Sequence, residues 1–147
     1  MKRQYPPRPV LGVGTIVIYG KKVLLIKRGK QPGFGIWTFP GGKVKIGEGA
    51  EDAAIRETRE ETGLDVKIDA LVDVIDVILR EEGGSIKYHY FLLGYLVRPT
   101  GGELKAQSDA LDARFFSVEE LGSLNLVEKT KKLILKTMNM VNERTEF

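Results

Sequence analysis

Residues 42–64 read GKVKIGEGAEDAAIRETREETGL, and the rest of the chain is best read outward from them. From Ala50 to Thr62 the stretch holds good helix formers with no internal Gly or Pro, and Gly63 stands where a left-handed C-terminal cap is wanted. A helix over 50–62 is therefore expected. On it Glu57, Glu60 and Glu61 are spaced i, i+3, i+4, which at about 100° per residue places them at roughly 0°, 300° and 40°, on one face. Unpaired like charges at this spacing weaken a helix by about 0.2–0.5 kcal/mol per pair, so packing alone gives no reason to gather them. A hard divalent cation does, because Mg2+ is commonly held by one or two carboxylates together with substrate phosphates. Ala53, at roughly 320°, is expected to leave that face open, and Arg56, at roughly 260°, to orient Glu60 by a charge-assisted hydrogen bond. Ala54, Ile55, Thr58 and Thr62 are assigned to packing. Gly41 and Gly42, without Cβ atoms, allow a sharp turn and a close approach of backbone to a metal or phosphate.

The whole chain has 147 residues, a formal net charge of +3, 42% hydrophobic and 29% charged residues, and no cysteine. One globular domain over residues 1–147 fits, and at this size about 68–70% of the unfolded surface can be buried without thiol-based staples. The single His89 argues against a histidine-rich metal site or a His-dependent triad and leaves oxygen ligands as the metal chemistry. No apolar run approaches the roughly 18–20 residues of a membrane span, and the basic N-terminus leads straight into prolines, so a cytoplasmic protein is expected. Residues 1–47 carry ten Lys or Arg and no acid, whereas residues 48–147 carry thirteen bases and twenty acids, giving +10 and −7. Cations beside clustered carboxylates suit a polyanionic substrate held through a divalent metal better than a nucleic acid.

Pro6, Pro7 and Pro9 predict an extended arm over 1–9. A hairpin should follow from 10–19 and 23–26, with a loop over 30–35 and a short strand at 36–39 that Pro40-Gly41-Gly42 stops. Beyond the helix, a short strand at 66–68 and long strands at 71–79 and 86–97 are expected, the latter two joined at Glu82-Gly83-Gly84-Ser85. Residues 99–109 read as a loop and 113–116 as a final strand. Ser117 should cap a short helix over 118–121, and 126–142 reads as an amphipathic helix with Leu126, Thr130, Leu133, Ile134, Thr137, Met138 and Val141 on one stripe. The order is that of an α+β protein.

The central stretch resembles the signature of the Nudix hydrolases. Here it reads Gly42, five residues, Glu48, seven residues, Arg56-Glu57, Thr58, any residue, Glu60-Glu61, any residue, Gly63, Leu64. Two positions depart: Thr58 replaces an aliphatic residue, and Gly49 stands where the family often has Ser or Thr. The resemblance implies an α/β/α sandwich around a central mixed β-sheet, and Mg2+- or Mn2+-dependent hydrolysis of a nucleoside diphosphate linked to another moiety. By position it makes Glu57, Glu60, Glu61 and the Gly41 carbonyl the metal ligands, with Arg56 and Glu48 in the same network. The general base would be a helix glutamate, Glu60 or Glu61, or an acid from a later loop, for which Asp109 is the candidate.

Lys27 and Arg28, at a strand end, are candidates to hold phosphate oxygens, and Phe34, Trp37 and Phe39 to stack on a base; each also has an ordinary surface or core reading. Tyr88 and Tyr90 alternate with His89, which reads as a structural histidine. The likeness to small prokaryotic members favours a small-molecule nucleotide, ADP-ribose first and an oxidised triphosphate such as 8-oxo-dGTP second. An RNA 5′-end pyrophosphohydrolase and a Nudix-fold binding module without turnover rank lower, the latter because the helix glutamates are all present. A homodimer through the arm or an exposed strand edge is compatible with the resemblance.

Overall fold

The computed structural model describes residues 4–145, with side chains described to Asn142. Its elements are β1 (Val10–Tyr19), β2 (Lys22–Arg28), β3 (Trp37–Thr38), β4 (Gly41–Lys43), α1 (Ala50–Thr62), β5 (Leu64–Arg80), β6 (Ile86–Gly102), β7 (Ala110–Ser117), a short 3-10 helix (Val118–Ser123) and α2 (Glu128–Thr145).

β1 organises the sheet. Its sequence, VLGVGTIVIY, is apolar at nearly every position because both faces are covered. On one edge β1 runs parallel to β6, from Val10 opposite Tyr90 to Val17 opposite Val97. On its other edge it pairs first with β4 and then, through Ile18 and Tyr19, with β2. The strand order is β3-β2-β1-β6-β5, with β7 beside β2. Among the strand–strand pairs of the described residues only β1 with β6 is parallel, so the sheet is mixed, as expected.

The two helices cover opposite faces. Val13, Val17, Leu24, Tyr95 and Val97 pack with Ala53 and Ala54 of α1, while Ile16, Ile18, Val23, Leu25, Leu96 and Phe116 pack with Leu133, Ile134 and Met138 of α2. Period-two alternation along β1 and β2 thus feeds two cores. Each fully buried Leu or Ile contributes about 1.5–3 kcal/mol, so both helices are held chiefly by these contacts. The stripe expected on α2 does face the sheet, with Leu133, Ile134, Thr137 and Met138 buried. Ala53 is not the open position expected on α1: it is fully buried in the core.

Several boundaries differ from the sequence expectation. Pro40-Gly41-Gly42 does not stop the sheet; Gly41–Lys43 forms β4, with Gly41 opposite Gly14. A Cβ on Gly41 would run into the Val13 carbonyl oxygen, so glycine is what permits this approach. The strands expected at 66–68 and 71–79 are one strand of 17 residues, carried through by register shifts at Ile68/Ala70 and Leu71/Asp73. The loop expected over 99–109 begins later, because residues up to Gly102 still pair with the start of β5. The final helix begins at Glu128, two residues after Leu126, and the short helix is 3-10 with the reciprocal Ser117–Glu120 cap. Of the arm, residues 1–3 lie outside the described residues, and the rest is bent: Tyr5 has φ 51° and donates its N–H to Lys87 O at 2.7 Å.

Candidate active site

α1 presents its glutamates from a well-anchored frame. Its first turn carries Glu51 and Asp52, which suit the positive end of the helix, and Gly63 closes it at φ 77° with its N–H on Arg59 O. Thr58, the departure from the family pattern, is fully buried; its hydroxyl donates to Ala54 O at 2.8 Å and meets the Thr15 hydroxyl at 2.7 Å. The hydroxyl is therefore satisfied in the core and ties α1 to β1.

Arg56 is the hub. Its Nε and Nη2 donate to the two carboxylate oxygens of Glu48 at 2.7 and 2.9 Å, its Nη1 to Glu57 at 2.9 Å, and its Nη2 also to Lys43 O at 3.0 Å. The expected bond from Arg56 to Glu60 is present but longer, at 3.2 Å. This fork clamps the 44–49 loop onto the helix. It also holds the Glu48 carboxyl down at about 2, and Glu48 in turn raises Arg56.

The three glutamates differ by depth. Glu61 is 7% exposed and accepts the Gly41 N–H at 2.8 Å. Burial pushes it up to about 7; the Gly41 bond opposes that, and the charge of Glu57 adds to it. Glu57 lies against the bare α-carbon of Gly42, where a Cβ would overlap its carboxyl group. It too is raised, first by burial, against the pull of Arg56, with Glu60 adding repulsion. Glu60 is outermost, its side chain 47% exposed.

Among the described residues no three acidic, His or Cys side chains are already gathered as a metal cage. The donor chemistry nevertheless fits a divalent cation. All donors are hard oxygens, the charges of Glu57 and Glu60 work against their neighbours, and glycine backbone leaves room beside Glu57. Because an extended residue points its N–H and C=O to the same side, the Gly41 N–H bond to Glu61 also turns the Gly41 carbonyl toward this face.

Basic charges act on the carboxylates. The charges of Arg28 and Lys30 both favour ionised Glu61, and Lys30 does the same for Glu57. Lys30 Nζ lies 2.8 Å from Asp109 Oδ2, which brings Asp109 to this end of the sheet. Phe34 stands 58% exposed on the same 29–35 loop. Lys27 and Trp37 are not brought together with the glutamates: they oppose each other across β2 and β3, and Trp37 packs edge-on against Phe116, ring centroids 5.0 Å apart, beside the α2 core. Strand alternation puts Arg28 on the α1 side and Lys27 on the other. Tyr88 and Tyr90 share a face and stack at 6.2 Å, as their spacing required.

Sequence reasoning missed Lys30, which lies two residues past the strand end where candidates were sought. It also missed an open groove of about 720 Å³ beyond Glu60, lined by Arg59, Gly63, Glu103, Lys105, Gln107 and Ser108. Only the loop's docking creates that groove, through Gln107 N–H to Glu61 O at 3.0 Å and Lys105 N–H to Thr62 O at 2.8 Å.

Helix-borne carboxylates set against a glycine strand, with basic side chains on the adjoining strand end and loop, give this sandwich an acidic face of hard oxygen donors. The NUDIX domain model matches residues 8–137, and the chain belongs to the Nudix family. It is 40% identical over 116 residues to the ADP-ribose pyrophosphatase of Methanocaldococcus jannaschii, covering 79% of this chain and 66% of that one. To the mouse 8-oxo-dGDP phosphatase NUDT18 it is 35% identical over 89 residues, 60% of this chain and 25% of the relative. The crystal structure of a MutT NUDIX hydrolase from Burkholderia pseudomallei superposes with a TM-score of 0.76 at 29% identity, covering 86% of this chain and 96% of that one. The chain thus spans at most 66% of the length of these two curated relatives. Among the described residues no helix is long and apolar enough to cross a membrane.

Proposed function

We propose that this protein hydrolyses the pyrophosphate bond of a nucleoside diphosphate linked to another moiety, with ADP-ribose as substrate and AMP and ribose 5-phosphate as products. The observation that carries this reading is the pair of part-buried Glu57 and buried Glu61 set against the Gly41-Gly42 backbone, with the charges of Arg28 and Lys30 favouring ionised Glu61. The relative from M. jannaschii supports the choice of substrate. Bound Mg2+ or Mn2+ would neutralise charge on the phosphates and acidify a water. Glu57, Glu61 and the Gly41 carbonyl would hold it, with Glu60 turning in from the solvent side. Arg56 keeps Glu57 and Glu60 oriented and is itself fixed by Glu48. Arg28 and Lys30 hold phosphate oxygens, and Asp109 or a helix glutamate takes the proton of the attacking water. Water oxygen bonds to one phosphorus as the bridging P–O bond breaks, and the leaving phosphate keeps that bond's electrons. Phe34, exposed on the same loop as Lys30, is available to the base.

Sanitation of oxidised nucleotides is the second reading, favoured by the mouse relative. Product identification with Mg2+ and Mn2+ across ADP-ribose, other nucleoside diphosphate sugars, dinucleoside polyphosphates and 8-oxo-dGTP separates the two. Efficient AMP formation from ADP-ribose is expected; preference for 8-oxo-dGTP would replace it with the second reading, and binding without turnover would refute both.

A further inference from the structure

The 29–35 loop and the 103–109 loop are tied at two points beside the carboxylates. The Gly29 N–H donates to Asp109 O at 2.7 Å, and a Cβ on Gly29 would lie 2.5 Å from that oxygen, so the backbones meet only because residue 29 is glycine. The second tie is the ion pair from Lys30 to Asp109 Oδ2, whose side chains are 39% and 52% exposed. These ties differ in kind. The backbone bond is short and sterically enforced, whereas an ion pair this exposed contributes roughly 0–1 kcal/mol and costs little to break. Lys30 also carries its charge on a flexible stem that can swing between partners without moving its backbone. Its charge also reaches Glu57 and Glu61, where the pyrophosphate and its metal would sit, and favours their ionised forms.

We propose that Lys30 is an exchangeable tether, holding Asp109 before substrate enters and moving its ammonium to a pyrophosphate oxygen when substrate binds. The exchange hands the Asp109 carboxylate from lysine to the attacking water only when a phosphate is present to take its place. The Gly29–Asp109 backbone bond keeps the loop in register meanwhile, so the carboxylate changes partner without leaving the site. This rests on the hydrolase reading for the role of Asp109, but the exchange itself can be read from binding alone.

The test is a double-mutant cycle on the full chain, measuring by calorimetry the affinity for α,β-methylene ADP-ribose, which cannot be cleaved at that bond, in the presence of Mg2+. Lys30→Met should bind about tenfold more weakly, and Lys30→Arg close to wild type. Asp109→Asn should bind about twofold to fivefold more tightly, since lysine no longer has to leave a partner, while its kcat for ADP-ribose falls. In the Lys30→Met background Asp109→Asn should bring no such gain. Unchanged or weaker binding by Asp109→Asn, or an equal gain without Lys30, would overturn the tether and leave a plain structural ion pair or bare charge repulsion. A protein that obeys the cycle but never cleaves ADP-ribose would refute the hydrolase reading and keep the tether; one that cleaves it with additive effects would refute the tether alone.

Discussion

At the scale of single residues, the buried carboxyl group of Glu61 makes folding stability depend on pH. Its proton affinity is raised from an ordinary value of 4.5 to about 7, chiefly by burial. The folded protein therefore binds this proton better than the unfolded chain does. The stabilisation is complete below pH 4.5 and is lost as pH rises through 7, a change on the order of 3 kcal/mol. Glu48 works in the opposite sense but between pH 4.5 and about 2, outside that window. Thermal melts of metal-free protein should show Tm falling from pH 5 to pH 8, and Mg2+ or Mn2+ should raise Tm more at pH 8, where Glu61 offers a charged oxygen. Glu61→Gln should flatten both trends. A metal-free Tm that rises steadily with pH over this range would contradict the assignment. The identity of the acidic face was legible from the i, i+3, i+4 spacing, but its depth was not. One wheel position separates buried Glu61 from exposed Glu60, and that difference comes from where β4 approaches the helix. The same is true of Lys27 and Arg28. Neighbours in sequence, they point to opposite faces, and a strand covered on both sides has no polar alternation to show which residue faces the glutamates.

At the scale of elements, α1 was legible to the residue because three local signals agree: good helix formers, no internal breaker, and a glycine cap. Gly63 does more than end the helix. At φ 77°, with the Glu103 carbonyl where a Cβ would stand, it lets the 103–109 loop close on the last turn. Gly63→Ala should cost about 1–3 kcal/mol, through both the left-handed backbone and the displaced loop. Chemical denaturation measures this, and a change under 0.5 kcal/mol would show that the loop is not held as described. β4 was invisible because Pro-Gly-Gly signals a break; the sheet forms there through backbone proximity, which glycine permits and no propensity announces. The long β5–β6 hairpin was divided for a related reason. Its register shifts interrupt the period-two pattern without interrupting the strand. Lys129 and Lys136 of α2 reach carbonyls of Asp76 and Val72 on β5, each at 3.4 Å, and so shield that outer edge. Replacing both with Glu should promote concentration-dependent association, read by light scattering; a variant that stays as dispersed as wild type would show the edge needs no such shield.

At the scale of the whole molecule, the charge asymmetry of the sequence resolves into geometry. The basic first third supplies β1 to β4 and the 29–35 loop, and the acidic remainder begins with the 48–62 segment that packs against them. The halves meet where the charges of Arg28 and Lys30 favour ionised Glu61, and that of Lys30 favours ionised Glu57. The sequence arithmetic separates a basic first third from an acidic remainder, while the groove beyond Glu60 and the Lys30–Asp109 link required the folded loops. Metal-dependent cleavage of a pyrophosphate bond at this carboxylate face is the proposed activity. Its most direct test is steady-state AMP release from ADP-ribose with Mg2+, comparing wild type with Glu57→Gln and Glu61→Gln, each shown folded by circular dichroism. Wild type should turn over and lose activity in excess EDTA, and each variant should lose at least about a hundredfold in kcat, roughly 2.7 kcal/mol of barrier. Turnover by both variants within a few-fold of wild type would contradict the account.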